Sequence, residues 1–257
     1  MKSLSVINRQ KRIKRFAAVV FAAAFIYVLF TFLYTPFKAE YYISTPDYGN
    51  DKLIALTFDD GPSKYTDTLL DGLDEYGARA TFFLLGKKVN KRADTVLHMQ
   101  RGGHLIANHT YYHDTYFKLG AEKFNEELDE TDREIEKITG EKTAFFRPPH
   151  GFYLGGQLNK TEKIAVLWQY DPADWKNEDA DYVCNYIISH AKDGAIILLH
   201  DTKRTTVEGA LRAIKTLSEQ GGYRFVRADE LLCRNGEKLK CGVAYRWCKQ
   251  NRKAFYF

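Results

Sequence analysis

Five short segments hold residue types that perform hydrolysis when they meet. TFDDGP (57–62) puts two adjacent carboxylates, Asp59 and Asp60, at the end of an apolar run. Side chains alternate along a strand, so the two point different ways, and one can ligate a metal while the other stays free as a base. Gly61-Pro62 ends the strand in a turn. Alone, the segment also reads as a helix N-cap followed by a turn. In HTYYH, His109 and His113 stand four apart. One helical turn would bring both imidazoles to one side, which suits a divalent ion, although such pairs also occur by chance. With an aspartate from another strand end they complete a two-histidine, one-carboxylate face that leaves positions open for water and substrate.

FRPPHG (146–151) places Arg147 at a strand end, where it can bridge a carboxylate and hold it ionised. The prolines after it stiffen the backbone and can aim an amide N–H at a developing oxyanion, but an Arg-Pro-Pro turn is also an ordinary structural element. DPADW (171–175) offers an acidic pair ending in Trp175, which can wall a sugar site or fill a core. LLHD (198–201) puts His200 at a strand end, where a lone histidine serves either catalysis or hydrogen-bonded structure.

The elements that must carry these segments alternate regularly. LIALTF (53–58), ATFFLLG (80–86), HLIANH (104–109), AFFR (144–147), IAVLWQY (164–170), AIILLH (195–200) and YRFV (223–226) read as strands. Between them lie amphipathic stretches, the longest from about Ala121 to Thr139 and stopped by Gly140. The alternation predicts a parallel α/β architecture. The glycine-rich fingerprint of a dinucleotide fold is missing after the first strand. The polar segments cluster at the C-terminal ends of five strands, and in a parallel barrel those ends share one rim. The fold class expected is therefore a distorted (β/α) barrel of about seven parallel strands, with an N-terminal transmembrane helix.

The five segments, in this order over about residues 52–232, resemble those of the carbohydrate esterase family 4, or NodB-homology, polysaccharide deacetylases. The resemblance implies Asp59 as general base and Asp60, His109 and His113 as metal ligands. It implies that Arg147 orients Asp59, that the His150 N–H holds the oxyanion, and that Asp174 tunes the general acid His200. Trp175 and Leu198 would line the pocket for the acetyl methyl. One divalent ion is implied, zinc first, with cobalt or nickel as alternatives. His150 departs from the pattern, since the family usually has an aromatic residue there; the main-chain role survives that change. Tyr111, Tyr112, Tyr116 and Phe117 beside the metal segment fit a glycan platform or ordinary packing.

Charge and the N-terminus set the surroundings. Six of the 38 basic residues fall within Lys2 to Arg15, a stretch with no acidic one, leaving 32 against 33 acidic. The body is near neutral, which argues against a nucleic-acid partner. The uncharged run Phe16–Tyr34 would span about 28 Å as a helix, close to a bilayer's hydrocarbon thickness. A cleaved signal peptide shares the basic start, but the run is long for one and lacks a clean cleavage site. The segments expected are a cytoplasmic basic stretch (1–15), a signal anchor (16–34), a linker (35–51), the catalytic domain (52–232) outside the membrane, and a cysteine-containing extension (233–257). One disulfide among Cys233, Cys241 and Cys248 fits that compartment, and Cys184 reads as a small buried residue.

The activity these expectations add up to is removal of N-acetyl groups from a cell-wall polysaccharide, with peptidoglycan N-acetylglucosamine first. The alternatives are muramic acid residues, chitin-type oligomers, xylan or an exopolysaccharide. Outside that class stand a catalytically silent, membrane-tethered glycan-binding protein and a small-molecule amidohydrolase. No obligate protein partner is expected.

Overall fold

The computed structural model describes Val20, Phe21, Ala24, Phe25 and residues 39–246. Packing divides the chain into residues 1–38 and 39–257, and the candidate site lies wholly in the second unit. Apart from those four residues, which are helical and exposed, the expected span 16–34 lies outside the described residues. Among the described residues no helix is long and apolar enough to cross a membrane.

The strands are β1 (Glu40–Tyr41), β2 (Lys52–Gly61), β3 (Thr81–Leu84), β4 (Leu105–Asn108), β5 (Phe145–Phe146), β6 (Ile164–Val166), β7 (Ala195–His200), β8 (Tyr223–Phe225), β9 (Leu239–Lys240) and β10 (Ala244–Tyr245). β1 and β9 pair antiparallel. The other eight form one parallel sheet in the order β10-β6-β5-β4-β3-β2-β7, with β8 beside the first half of β2. The sheet curls into a barrel-like form, and the chain running on from β6 reaches β7 through a bridge from Tyr170 to Ile197. All seven expected strands are present. β10 is an eighth, contributed by residues beyond the expected domain end at 232.

β2 explains the architecture. Its apolar run LIALTF is buried on both faces, as a central parallel strand must be. Ile54, Leu56 and Phe58 pack outward with Phe82, Leu84, Ile197 and Leu199. They meet the helices α1 (Thr66–Glu75), α6 (Ala180–His190) and α7 (Arg204–Gln220). Leu53 and Ala55 point the other way, into an interior they share with Phe83, Ala107, Phe145 and Ile196. The remaining helices described are α2 (Gly86–Val89), α3 (Ala93–Arg101), α4 (Tyr116–Thr139), α5 (Gly155–Leu158) and α8 (Ala228–Cys233).

Two local expectations are corrected, and one cysteine pairing is excluded. The HTYYH segment forms no helical turn: Thr110 and His113 have φ of 66° and 72°, and α4 starts only at Tyr116. The strand expected over 164–170 ends at Val166. Cys233 carries a free, buried thiol, so it has no disulfide to Cys241; Cys248 lies outside the described residues. Cys184 is buried in α6, as expected of a small apolar residue.

Candidate active site

Strand register brings the site together. Asp59 pairs with His200 on one side and with Phe83 on the other, and Thr57 pairs with Leu198. Parallel neighbours in register share a face, so Thr57, Asp59, Leu198 and His200 all turn to the barrel interior. At the end of β4, Asn108 faces outward to hydrogen-bond α4, which leaves the next residue, His109, facing in. Phe146 likewise packs outward against Phe124 and Leu128, and Arg147 turns inward.

Arg147 fills the interior beneath the rim and is fully buried. Its NH1 donates to Asp59 Oδ1 at 2.7 Å and to Thr57 Oγ1 at 2.9 Å. Nε donates to the Val166 carbonyl at 2.9 Å, and NH2 to that of Leu167 at 3.3 Å. The guanidinium lies over the rings of Phe83 and Trp168, at 4.1 and 5.3 Å from their centroids. Burial pushes the Arg147 pKa down, and the Asp59 charge and hydrogen bond oppose that shift. The cation is thus held directly against the buried Asp59 carboxylate, which would be costly to leave unpaired.

Asp60 does not alternate away from Asp59. A register shift between Asp59 and Gly61 and a φ of 66° at Asp60 turn its carboxylate back into the same cavity. Sequence alternation therefore misplaces this side chain. Its Oδ1 lies 3.6 Å from Nε2 of both His109 and His113. The ligand atoms of Asp60, His109 and His113 all fall within 4.8 Å of one another. Asp60 Oδ1 is buried and has no hydrogen-bond partner, which is costly unless a cation takes it. His109 Nδ1 lies 2.7 Å from the Arg147 carbonyl, so that nitrogen carries the proton and Nε2 offers its lone pair. The three residues fit a divalent ion. Burial opposes a charged Asp60, but His109, His113 and His200 together lower its pKa. Burial, with help from His109, pushes the His113 pKa down to about 4, which favours the neutral, ligating imidazole.

Across the cavity, His200 Nδ1 lies 2.8 Å from Asp174 Oδ1, leaving Nε2 as the ring nitrogen available for proton transfer. Asp174 is fully buried; its Oδ2 also accepts from the His200 N–H at 2.7 Å and from Thr206 Oγ1 at 2.8 Å. Burial alone would lower the His200 pKa, but the hydrogen bond and charge of Asp174 raise it to about 9.

These groups open on a cavity of about 390 Å³ lined by Asp59, Asp60, His109, His113, His150, Trp168, Asp171, Trp175, Leu198 and His200. All ten residues expected at the site converge here; Arg147 and Asp174 stand behind the lining. Trp175 is exposed rather than in the core. His150, at φ 57°, sets its ring 4.7 Å from that of His113. Sequence reasoning missed Trp168, which both lines the cavity and stacks on Arg147. Its signal was an indole at the end of an apolar run, which core packing explains equally well. Asp201 was also missed: its buried carboxylate presses on Gly61, where an added Cβ would come within 2.8 Å.

The profile of the family described as polysaccharide deacetylase matches residues 47–167. The peptidoglycan-N-acetylmuramic acid deacetylase PdaC of Bacillus subtilis is 37% identical over 71% of this chain, which spans only 39% of that protein's length. A peptidoglycan-N-acetylglucosamine deacetylase of Bacillus cereus is 39% identical, over 71% of this chain and 89% of its own. Among solved structures, T48 deacetylase with substrate matches with a TM-score of 0.72 at 38% identity, covering 76% of this chain and 96% of that one. A family 4 acetyl xylan esterase from Clostridium thermocellum in complex with a cobalt ion matches at 0.71 and 30% identity, covering 77% and 100%.

Proposed function

From a chain that belongs to the polysaccharide deacetylase family (carbohydrate esterase family 4, NodB homology), we propose metal-dependent hydrolysis of N-acetyl groups on peptidoglycan N-acetylglucosamine. The observation that carries this reading is the bare, buried Oδ1 of Asp60 facing two histidine nitrogens, beside a separately paired Asp59 and His200.

Asp60, His109 and His113 would hold the ion, with zinc the first expectation and cobalt or nickel as alternatives. When bound, it supplies charge stabilisation at the acetyl carbonyl and lowers the pKa of water. Asp59, hydrogen-bonded by Arg147, accepts a proton as water adds to the carbonyl carbon. The backbone N–H of His150 would donate to the oxyanion that forms. His200, kept protonated by Asp174, gives its proton to the amine nitrogen as the C–N bond breaks. Acetate and a free amino sugar leave. Trp175 and Leu198 line the pocket, where they would contact the acetyl methyl.

A second reading, deacetylation of N-acetylmuramic acid, is supported by the identity to the Bacillus subtilis relative. Muramidase digestion of treated peptidoglycan followed by mass spectrometry separates the two. Loss of 42 Da, about one acetyl group, from the glucosamine residue supports the first reading; loss from muramic acid alone replaces it with the second.

Membrane anchoring through residues 16–34, with the catalytic domain outside, belongs to the same proposal and is supported by the basic cluster before the apolar run. Digestion of intact cells by an external protease should remove the domain. Protection in intact cells but not in lysed ones would contradict that topology.

A further inference from the structure

Residues 109–113 run between β4 and α4 in an irregular loop with positive φ at Thr110 and His113. Non-glycine residues persist in such conformations only where their surroundings over-determine them. The carbonyls of Thr110 and Tyr111 accept from the Gly86 and Lys87 N–H groups at 3.0 and 3.3 Å. The Thr110 N–H donates to Asn108 Oδ1 at 2.9 Å, and the His113 N–H to Thr110 Oγ1 at 3.1 Å. The amides of Tyr111 and Tyr112, midway between the two histidines, both donate to one atom, Glu127 Oε2, at 3.0 Å each. Glu127 lies on α4 and is only 8% exposed. The same helix holds Asn108, whose amide donates to the Leu128 carbonyl and to Asp132 Oδ1 at 2.8 Å each.

We infer that Glu127 is a positioning residue for the metal site: its Oε2 fixes the 109–113 loop in the shape that aims His109 and His113 at Asp60. The inference rests on the proposed metal-binding role of those three residues. The feature that matters is an acceptor oxygen, not a negative charge. One oxygen takes both amides, so Glu127→Gln can keep both bonds. Glu127→Met keeps length and bulk but leaves two amides without an acceptor, which favours a rearranged loop.

The test is Co2+ binding to the metal-stripped full-length chain, followed by calorimetry and visible absorption, with thermal melts alongside. Wild type, Glu127→Gln, Glu127→Met and Asp60→Asn are compared. Glu127→Gln should stay within about threefold of wild type, and Glu127→Met should bind about 10–100-fold more weakly with an altered cobalt spectrum. If Glu127→Met fails to fold, Glu127→Asp, which withdraws the oxygen by one methylene, should show the loss. Wild-type affinity in the variant lacking or withdrawing the acceptor would overturn the inference. So would equal weakening in Glu127→Gln, which would make charge the cause. Wild-type protein binding Co2+ no better than Asp60→Asn would instead overturn the metal reading, and the inference with it.

Discussion

Arg147 donates to Asp59 across 2.7 Å inside the barrel, although 88 residues separate the two in the chain. The pair joins the end of β2 to the end of β5 and leaves Asp59 only 3% exposed. One buried charge therefore depends on the other, for folding as well as for the chemistry proposed at Asp59.

Replacing Arg147 by Met should cost about 3–5 kcal/mol of stability, because it strands a buried carboxylate. Arg147→Lys should also lose stability, since an ammonium cannot reach Asp59, Thr57 and two carbonyls from one planar fork. Denaturant melts measure both. Adding Asp59→Asn to Arg147→Met should recover part of the loss; strict additivity of the two changes would contradict the coupling.

The inward positions of Asp59, His109, Arg147 and His200 were legible in the sequence because strand alternation is a local property. Each follows an outward apolar or α4-facing neighbour: Phe58, Asn108, Phe146 and Leu199. Asp60 and His113 were not legible in the same way. Their positive φ values belong to a bulge and a loop held by distant groups, Lys88 Nζ on the Asp60 carbonyl and Glu127 on the Tyr111 and Tyr112 amides. β10 escaped because two residues carry no period, and it pairs only once β6 is in place. His109 and His113 do come together beside Asp60, but not through the helical turn expected, which does not form.

The His200 pKa of about 9 predicts the alkaline limb of the reaction. Raised above its unfolded value near 6.5, the imidazolium is fully present below that pH and is lost as pH rises through about 9. Asp174→Asn removes the charge that opposes burial, so the limb of kcat should move acidward by about one unit or more. In chelator-treated protein the stability gained from this pair should fade over the same window in wild type and not in Asp174→Asn. An unmoved limb would remove Asp174 from its assigned role.

Asp201 predicts an opposite consequence of charge. Burial raises its pKa to about 7, with Thr66 and Lys88 only partly countering the shift. A raised carboxyl contributes stability below its unfolded pKa of 3.8 and loses it as pH rises through about 7. Asp201→Asn, neutral and of the same shape, should flatten that loss and gain about 1 kcal/mol or more above pH 8. A melting profile with the wild-type pH slope would contradict the assignment.

Acetate release from purified peptidoglycan by residues 39–257, assayed with added Zn2+ or Co2+ and again after chelation, tests the proposed reaction most directly. Acetate should appear with metal, vanish with chelator, return on re-addition, and fall at least about 100-fold in both Asp59→Asn and Asp60→Asn. A folded, metal-loaded protein that releases no acetate, or that releases it equally after either substitution, would contradict the proposed reaction.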